Sequence, residues 1–448
     1  MPRKKFNLSV NKKINPYNKT IKVDSDKSIS IRSLIIGSIS ENITTINNVL
    51  ESEDVFASIN SLKKLGVKIS KIKKQKYLVY GKGLGSLQIN KNGKLNFGNS
   101  GTLARLLIGV LSTTPNIKVD ISGDHSLNKR SMKKLIDLMI KFGASFYPKK
   151  KYKFPIKLIS SKFPMGIFYK AGVSAQLKSA VMLAGLNSNG NTTIAETQKS
   201  RDHTENILLN SKKAIFINND KQRTIKIFGK NSLSSLKVNV PCDPSSAAFF
   251  SALTLLNKKS KLKIKGVGLN KTRIGFYELL QGQGAKIKFK NIKKINNEIC
   301  GDIVVKSCKL KPILATKNYY TKMTDEYPIL FIMAALIKGT SVFRGIGDLA
   351  NKESNRILEI KKILDQINIK TKIKKNEFIV YGKGLVDASK KKVKIPNLGD
   401  HRVCMSAFVL TLLTGANTKI NNFETVFTSA PSFLKIMKTL GAKFEIQY

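Results

Sequence analysis

The sequence predicts an α/β protein built from six copies of one helix–strand–helix–strand–strand unit, three in each of two domains. Three observations predict it. First, the chain repeats itself at long range. Leu78-Val79-Tyr80-Gly81-Lys82-Gly83-Leu84 returns 301 residues later as Ile379-Val380-Tyr381-Gly382-Lys383-Gly384-Leu385. At the same offset Gly98-Asn99 matches Gly399-Asp400, and Asp24 matches Asp325. Second, helix starts recur near Ser25, Asn99, Ser174, Ser245, Asp325 and Asp400, at intervals of 74, 75, 71, 80 and 75 residues. Third, every start opens the same series: an apolar helical run, a polar turn, a strand-like run, a polar loop and a second helix.

Ile21-Lys22-Val23 reads as extended, and Asp24, Ser25 or Asp26 suits the N-cap of the apolar helical run Leu34-Ile35-Ile36-Gly37-Ser38-Ile39. Asn99 suits the N-cap of the second unit. The strand after each first helix reads Thr44-Thr45-Ile46, Ile117-Lys118-Val119, Thr192-Thr193-Ile194, Leu262-Lys263-Ile264, Ser341-Val342-Phe343 and Thr418-Lys419-Ile420. Four second helices run into glycine before another strand, at Gly66, Gly143, Gly284 and Gly441, where glycine suits a helix C-terminus. The sixth unit starts at Asp400 with only 49 residues left. Residues 1–22 are about the missing length, and they hold the strand-like run Lys5-Phe6-Asn7-Leu8-Ser9-Val10. The expected domains are therefore 23–241, and a discontinuous second domain of 1–22 plus 242–448. Val240-Pro241-Cys242-Asp243-Pro244 fits a stiff crossover. The active site is expected in the cleft between the domains, where helix N-termini would set up a positive field.

Composition narrows the class. Hydrophobic residues make up 42% of the chain, a globular value, and no apolar run has the length of a membrane span. The basic N-terminus has no apolar segment of the secretory kind. Cys242, Cys300, Cys308 and Cys404 have no CxxC spacing, which points to a reducing compartment and to neither disulfides nor zinc. The formal charge of +52 invites a nucleic-acid reading, but the lysines are spread along the whole chain. Only 10 of the 80 basic residues are arginine. Arg32, Arg105, Arg130, Arg201, Arg356 and Arg402 fall in the recurring loops and helix starts, as do His125, His203 and His401.

Those loops carry the chemistry. Lys27, Ser28 and Arg32 follow a capped helix start, an arrangement suited to an anion. Its plain alternative is an ordinary capped helix with two solvated charges. Gly98-Asn99-Ser100-Gly101-Thr102 lets backbone approach a ligand, and Arg105 follows. Arg130 can hold a carboxylate or phosphate bidentately. Ser174-Ala175-Gln176 and Ser200-Arg201-Asp202-His203 add hydrogen-bonding groups in the third unit. In the fifth unit Asp325-Glu326 would ordinarily cap a helix, and Glu353 with Arg356 would ordinarily form a helical i, i+3 ion pair. Cations at helix starts, as at Lys27 and Arg402, oppose the helix dipole unless an anion is near, which favours function over scaffolding.

Taken in order, these motifs, with Lys129-Arg130, Asp325-Glu326-Tyr327-Pro328, Lys352-Glu353 and Asp400-His401-Arg402, resemble the motif set of the 5-enolpyruvylshikimate-3-phosphate synthase family along essentially the whole chain. Ser-Ala-Gln, Ser-Arg-Asp-His and Asp-Glu-Tyr-Pro are closer to its class II bacterial branch. The resemblance implies a two-domain inside-out α/β barrel. It implies transfer of the enolpyruvyl group of phosphoenolpyruvate to the 5-hydroxyl of shikimate 3-phosphate, with release of phosphate. It implies no organic cofactor and no metal. By motif, Lys27, Ser28, Arg32, Ser174, Ala175, Gln176, Arg201, Asp325 and Lys352 would hold shikimate 3-phosphate. Lys27, Gly101, Arg130, Gln176, Arg356 and Arg402 would hold phosphoenolpyruvate. Lys27, Asp325 and Glu353 are the proton-transfer candidates. Glyphosate, which occupies the phosphoenolpyruvate site in this family, is expected to bind in open space beside Gly101.

Ile31 stands where a histidine is frequent, Ser131 where proline usually follows the arginine, and Leu106 where class I enzymes carry proline. The last loop, Phe427-Thr428-Ser429-Ala430-Pro431, lacks the class I lysine and leaves one phosphoenolpyruvate contact unassigned. The related transferase acting on UDP-N-acetylglucosamine normally has Lys-Asn at its first motif and a reactive cysteine in the second unit. Here the motif is Lys27-Ser28, and no cysteine precedes Cys242. A nucleic-acid-binding protein would account for the charge but not for arginine and histidine gathered in repeated loops. The expectation is a monomeric cytoplasmic enzyme with two small-molecule substrates, no nucleic-acid partner and no membrane.

Overall fold

The computed structural model describes residues 5–90, 93–220 and 222–448. The chain divides into two lobes. The first lobe is Ser25–Val240 with Lys294–Glu298; the second is the described chain up to Asp24, Pro241–Lys293 and Ile299–Tyr448.

Each lobe carries three four-stranded sheets, all wired alike. In the second sheet of the first lobe Lys94–Asn96 pairs parallel with Lys118–Ser122. Ile156–Ile159 then pairs antiparallel with Lys118–Ser122, and Ser145–Tyr147 closes the edge against it. The sheet of Phe168–Ala171, Asn191–Glu196, Arg223–Phe228 and Ile215–Asn218 repeats the pattern, as does that of Leu314–Ala315, Gly339–Arg344, Glu377–Gly382 and Thr371–Lys374. The unit therefore begins with a strand that the sequence pattern does not reveal, except before the first unit, where the run read as extended at Ile21-Lys22-Val23 overlaps the end of the strand Asn18–Ile21. These leading strands are two to four residues long, such as Leu314–Ala315 and Lys94–Asn96, too short for a period of two to register.

Residues 1–22 do not all complete the last unit as expected. Asn7–Val10 does enter the last sheet, pairing antiparallel with Asn417–Ile420 and Glu445–Gln447. Asn18–Ile21 instead pairs parallel with Lys261–Gly268, in the fourth unit. Its counterpart Lys237–Asn239 pairs with Ile43–Asn47, in the first. Each crossover thus leaves a strand in one lobe and starts a helix in the other.

The first helix of every unit is wrapped by its own lobe. All residues of Pro244–Leu256 and His401–Thr414 are buried, and so is Gly101–Thr113 apart from Arg105. A helix apolar on every side belongs in the interior. The hydroxyls it carries there return to its own backbone: Ser112, Ser251 and Thr411 donate to carbonyls four residues back. Gly109 lets Gly101–Thr113 approach Ala175–Leu186, because a Cβ there would fall 2.5 Å from the Ala180 carbonyl oxygen. The glycines ending four second helices have φ between +82° and +97°, the left-handed region that closes a helix without a Cβ clash. Sheets cover these helices and turn lysines outward. In Ile287–Ile295 the side chains of Lys288, Lys290, Lys293 and Lys294 are exposed, so much of the +52 charge sits on solvated strand faces.

Candidate active site

In the first lobe the polar groups gather at three helix starts. Asp26, Ser100 and Ser174 cap them, each accepting from the N–H three residues on. Ser100, not Asn99, is the second cap. None of the three has an acidic residue in its first turn, and only the first is capped by a carboxylate, that of Asp26. Arg32 is buried and held from three sides. Its Nε donates to Thr204 Oγ1 (2.9 Å), its Nη2 to Ser179 Oγ (3.2 Å) and its Nη1 to the Ser28 carbonyl (3.1 Å). Lys27 Nζ reaches Asp54 Oδ2 at 2.8 Å.

Gln176 Nε2 donates to Thr102 Oγ1 at 3.0 Å, which ties the Ser174-Ala175-Gln176 start to the Gly101 start. Arg130 Nη2 donates to Asn99 Oδ1 and Ser126 Oγ, and Arg105 Nη1 donates to the Gly101 carbonyl. The space beside Gly101 is not open as the sequence suggested. A Cβ built there would lie 2.8 Å from Arg105 Nη1 and 3.2 Å from Arg130 Nη1. Arg201 is half-buried in the loop before the helix His203–Leu208. His203 Nδ1 lies 2.7 Å from Glu298 Oε1.

In the second lobe the centre is Arg356, 1% exposed. Its Nε donates to Asp400 Oδ2 (2.9 Å) and its Nη2 to Glu353 Oε2 (2.7 Å), while Nη1 stands 3.5 Å from Asp325 Oδ1. Burial works against a charged guanidinium, but Asp400, Glu353 and Asp325 outweigh it and hold Arg356 firmly protonated. Glu353 lies outside the helix Arg356–Asp365, so this is not the helical pair its spacing suggested. Glu326 occupies the cap position of Tyr327–Ala335 without a capping bond, and its Oε1 accepts from Ser245 Oγ.

Arg402 is buried over the Phe249 ring, and its Nη2 is 3.7 Å from Asp243 Oδ2. Its Nε and Nη1 have no hydrogen-bond partner among the described residues. Lys352 is set apart from Glu353 and Arg356: its Nζ reaches Asp348 Oδ2 at 2.6 Å, which also accepts from Tyr320 Oη. Among the described residues no group of acidic, histidine or cysteine side chains could hold a metal.

Several residues around these side chains escaped sequence reasoning: Asp54, Asp243, Arg273, Tyr320 and Asp348. Arg273 Nη2 donates to Asp243 Oδ1 and Ser245 Oγ. The repeat held the signal for it. Arg130, Arg201, Arg273 and Arg356 each stand just before, or open, the second helix of a unit.

A family model described as EPSP synthase (3-phosphoshikimate 1-carboxyvinyltransferase) matches residues 11–437. The chain belongs to the EPSP synthase family. It is 38% identical over 426 residues to the 3-phosphoshikimate 1-carboxyvinyltransferase of Petrotoga mobilis, covering 94% of this chain and 97% of that one. With the protein of the same description from Zymomonas mobilis it shares 36% over 442 residues, 98% and 97% of the two chains. The solved EPSP synthase of Acinetobacter baumannii superposes with a TM-score of 0.85 at 31% identity, covering 99% of this chain and 100% of that one. The enolpyruvyl transferase NikO from Streptomyces tendae gives 0.78 at 14% identity over 99% of each chain, a likeness of fold alone. As an EPSP synthase family member the chain is a transferase of the two-lobed inside-out α/β fold. It moves the enolpyruvyl group of phosphoenolpyruvate to shikimate 3-phosphate and releases phosphate, a step of the shikimate pathway to aromatic amino acids.

Proposed function

We propose that the roles of these side chains divide by charge and proton transfer. Shikimate 3-phosphate is held by Ser28, Arg32, Ser174, Ala175, Gln176, Arg201, Asp325 and Lys352. Phosphoenolpyruvate is held by Gly101 and Arg130 with Arg356 and Arg402; Lys27 and Gln176 touch both substrates. Both substrates are multiply anionic, so fixed cations must offset their repulsion before the reacting atoms can meet.

The chemistry then assigns the acids and bases. Attack on C2 of phosphoenolpyruvate requires C3 to gain a proton, so an acid faces C3 and a base faces the 5-hydroxyl. Glu353 or Lys27 is the acid and Asp325 the base. The tetrahedral intermediate next loses the C3 proton and its phosphate, which restores the double bond.

The observation that carries this reading is Arg402. A buried guanidinium keeps two N–H edges without hydrogen-bond partners among the described residues, in the same lobe as an Arg356 already surrounded by carboxylates. Burial of that kind is costly without an anion to receive the N–H groups. The test is phosphate release by the purified protein, expected only with shikimate 3-phosphate and phosphoenolpyruvate together. Release with UDP-N-acetylglucosamine in place of shikimate 3-phosphate overturns the reading. We propose that the enzyme acts as a monomer in the cytoplasm. Light scattering tests the monomer.

A further inference from the structure

Below the third helix start of the first lobe lies a buried ionic cluster that the chemistry above does not use. Lys178, fully buried, stands one turn into the helix Ala175–Leu186. Its Nζ is 2.9 Å from Glu196 Oε1 and 2.6 Å from Glu205 Oε1. Arg223 Nη1 contacts both carboxylates as well. Lys178 and the two carboxylates thus sit out of water, with Arg223 closing the cluster from a partly exposed position. Burial pushes the Glu196 carboxyl up, but Lys178 and Arg223 outweigh it and hold it below the ordinary range.

The cluster's position is what gives it a role. Glu196 ends the strand Asn191–Glu196 and Glu205 lies in the helix His203–Leu208. One ammonium therefore fastens both ends of the loop 197–202, which carries Arg201. Glu196 Oε1 also accepts from the Ser200 N–H and Oγ, directly before Arg201. The two helices that Lys178 and Glu205 join also hold Arg32 in place. Ser179 follows Lys178, Thr204 precedes Glu205, and both hydroxyls accept from the Arg32 guanidinium while lying 2.7 Å from each other.

We propose that Lys178 is a positioning residue for shikimate 3-phosphate: through Glu196 and Glu205 it fixes the register of the Arg201 loop and the Ser179–Thr204 cradle of Arg32. The proposal rests on the assignment of Arg32 and Arg201 to that substrate. Its consequence is selective. Loosening the cluster moves the groups that hold the phosphorylated ring, while Glu353, Arg356 and Arg402 are held by a separate set of partners in the second lobe.

The experiment compares wild type, Lys178→Met, Glu205→Gln and Arg32→Ala by calorimetric titration with shikimate 3-phosphate alone, and by steady-state kinetics. For Lys178→Met, affinity and KM for shikimate 3-phosphate are expected to worsen by about tenfold or more, since small misplacement of binding groups is costly. Its phosphoenolpyruvate KM and its kcat at saturation are expected to stay within about threefold of wild type, the pattern of lost substrate binding. Glu205→Gln keeps the side-chain shape and frees one end of the tether. It should shift the same constant in the same direction, and it decides the matter if Lys178→Met does not fold. Folded variants with unchanged affinity overturn the proposal, as does a parallel loss in kcat and both KM values. Equal binding by wild type and Arg32→Ala would instead overturn the substrate assignment itself.

Discussion

Glu353 and Arg356 form an ion pair, Oε2 to Nη2 at 2.7 Å, although only Arg356 belongs to the helix Arg356–Asp365. The pair leaves Glu353 partly exposed, with 23% of its side chain accessible, while the guanidinium is enclosed. A carboxyl so placed can exchange a proton with a substrate while Arg356 keeps its own charge. Glu353→Gln is expected to lower kcat by about a hundredfold or more, the usual weight of a general acid. Affinity for shikimate 3-phosphate should be nearly unchanged, because no substrate-binding cation is removed. Single-turnover kinetics with calorimetry checks the split; a variant that loses binding alone would remove Glu353 from proton transfer.

Arg32 is aligned by hydrogen bonds to Thr204, Ser179 and the Ser28 carbonyl. Removing it deletes a pre-set charged donor, worth about 2–3 kcal/mol, or roughly 30- to 150-fold in Kd. Arg32→Ala should therefore weaken shikimate 3-phosphate binding by that factor in a direct titration. A change below about threefold would show that the 3-phosphate lies elsewhere.

Gly101 is enclosed by two guanidinium groups, and both are ends of flexible side chains that a methyl group could displace. Gly101→Ala should raise the phosphoenolpyruvate KM through Arg130. We propose that glyphosate binds at the phosphoenolpyruvate site, and on that reading the substitution should raise its inhibition constant further, because the inhibitor is longer than the substrate. The ratio of the two constants, measured in wild type and variant, should increase. A constant ratio would show that position 101 does not discriminate between them.

Glu196 gives acid sensitivity with a definite sign. Its folded pKa is depressed below the ordinary value of 4.5. A depressed carboxylate contributes stability that is fully present above 4.5 and is lost as pH falls through the folded value. Melting temperature should fall on acidification below that point. In Glu196→Gln the fall should be shallower, at the cost of a lower melting temperature at neutral pH. Parallel curves for the two proteins would mean that other carboxylates set the acid limit.

The sequence alone determined the repeat, and through it the six units, because a helix buried on every side must be largely apolar along its length and each unit needs one. It also pointed to the arginines and capped helix starts, since a cation opposing a helix dipole is unfavourable without an anion. Glycines after second helices were legible for a local reason: the left-handed turn needs no tertiary partner. Tertiary structure alone decided which strands share a sheet. Asn18–Ile21 and Lys237–Asn239 are too short to show a period, and each pairs with a strand far away in the sequence. Only the fold turned Glu353 and Arg356 from a spacing into a pair outside the helix, filled the space beside Gly101 with Arg105 and Arg130, and brought Lys178, Glu196, Glu205 and Arg223 together. Their partners are chosen by packing, and in one sequence nothing ties a lysine on one helix to a glutamate at the end of a strand until burial forces both to be neutralised.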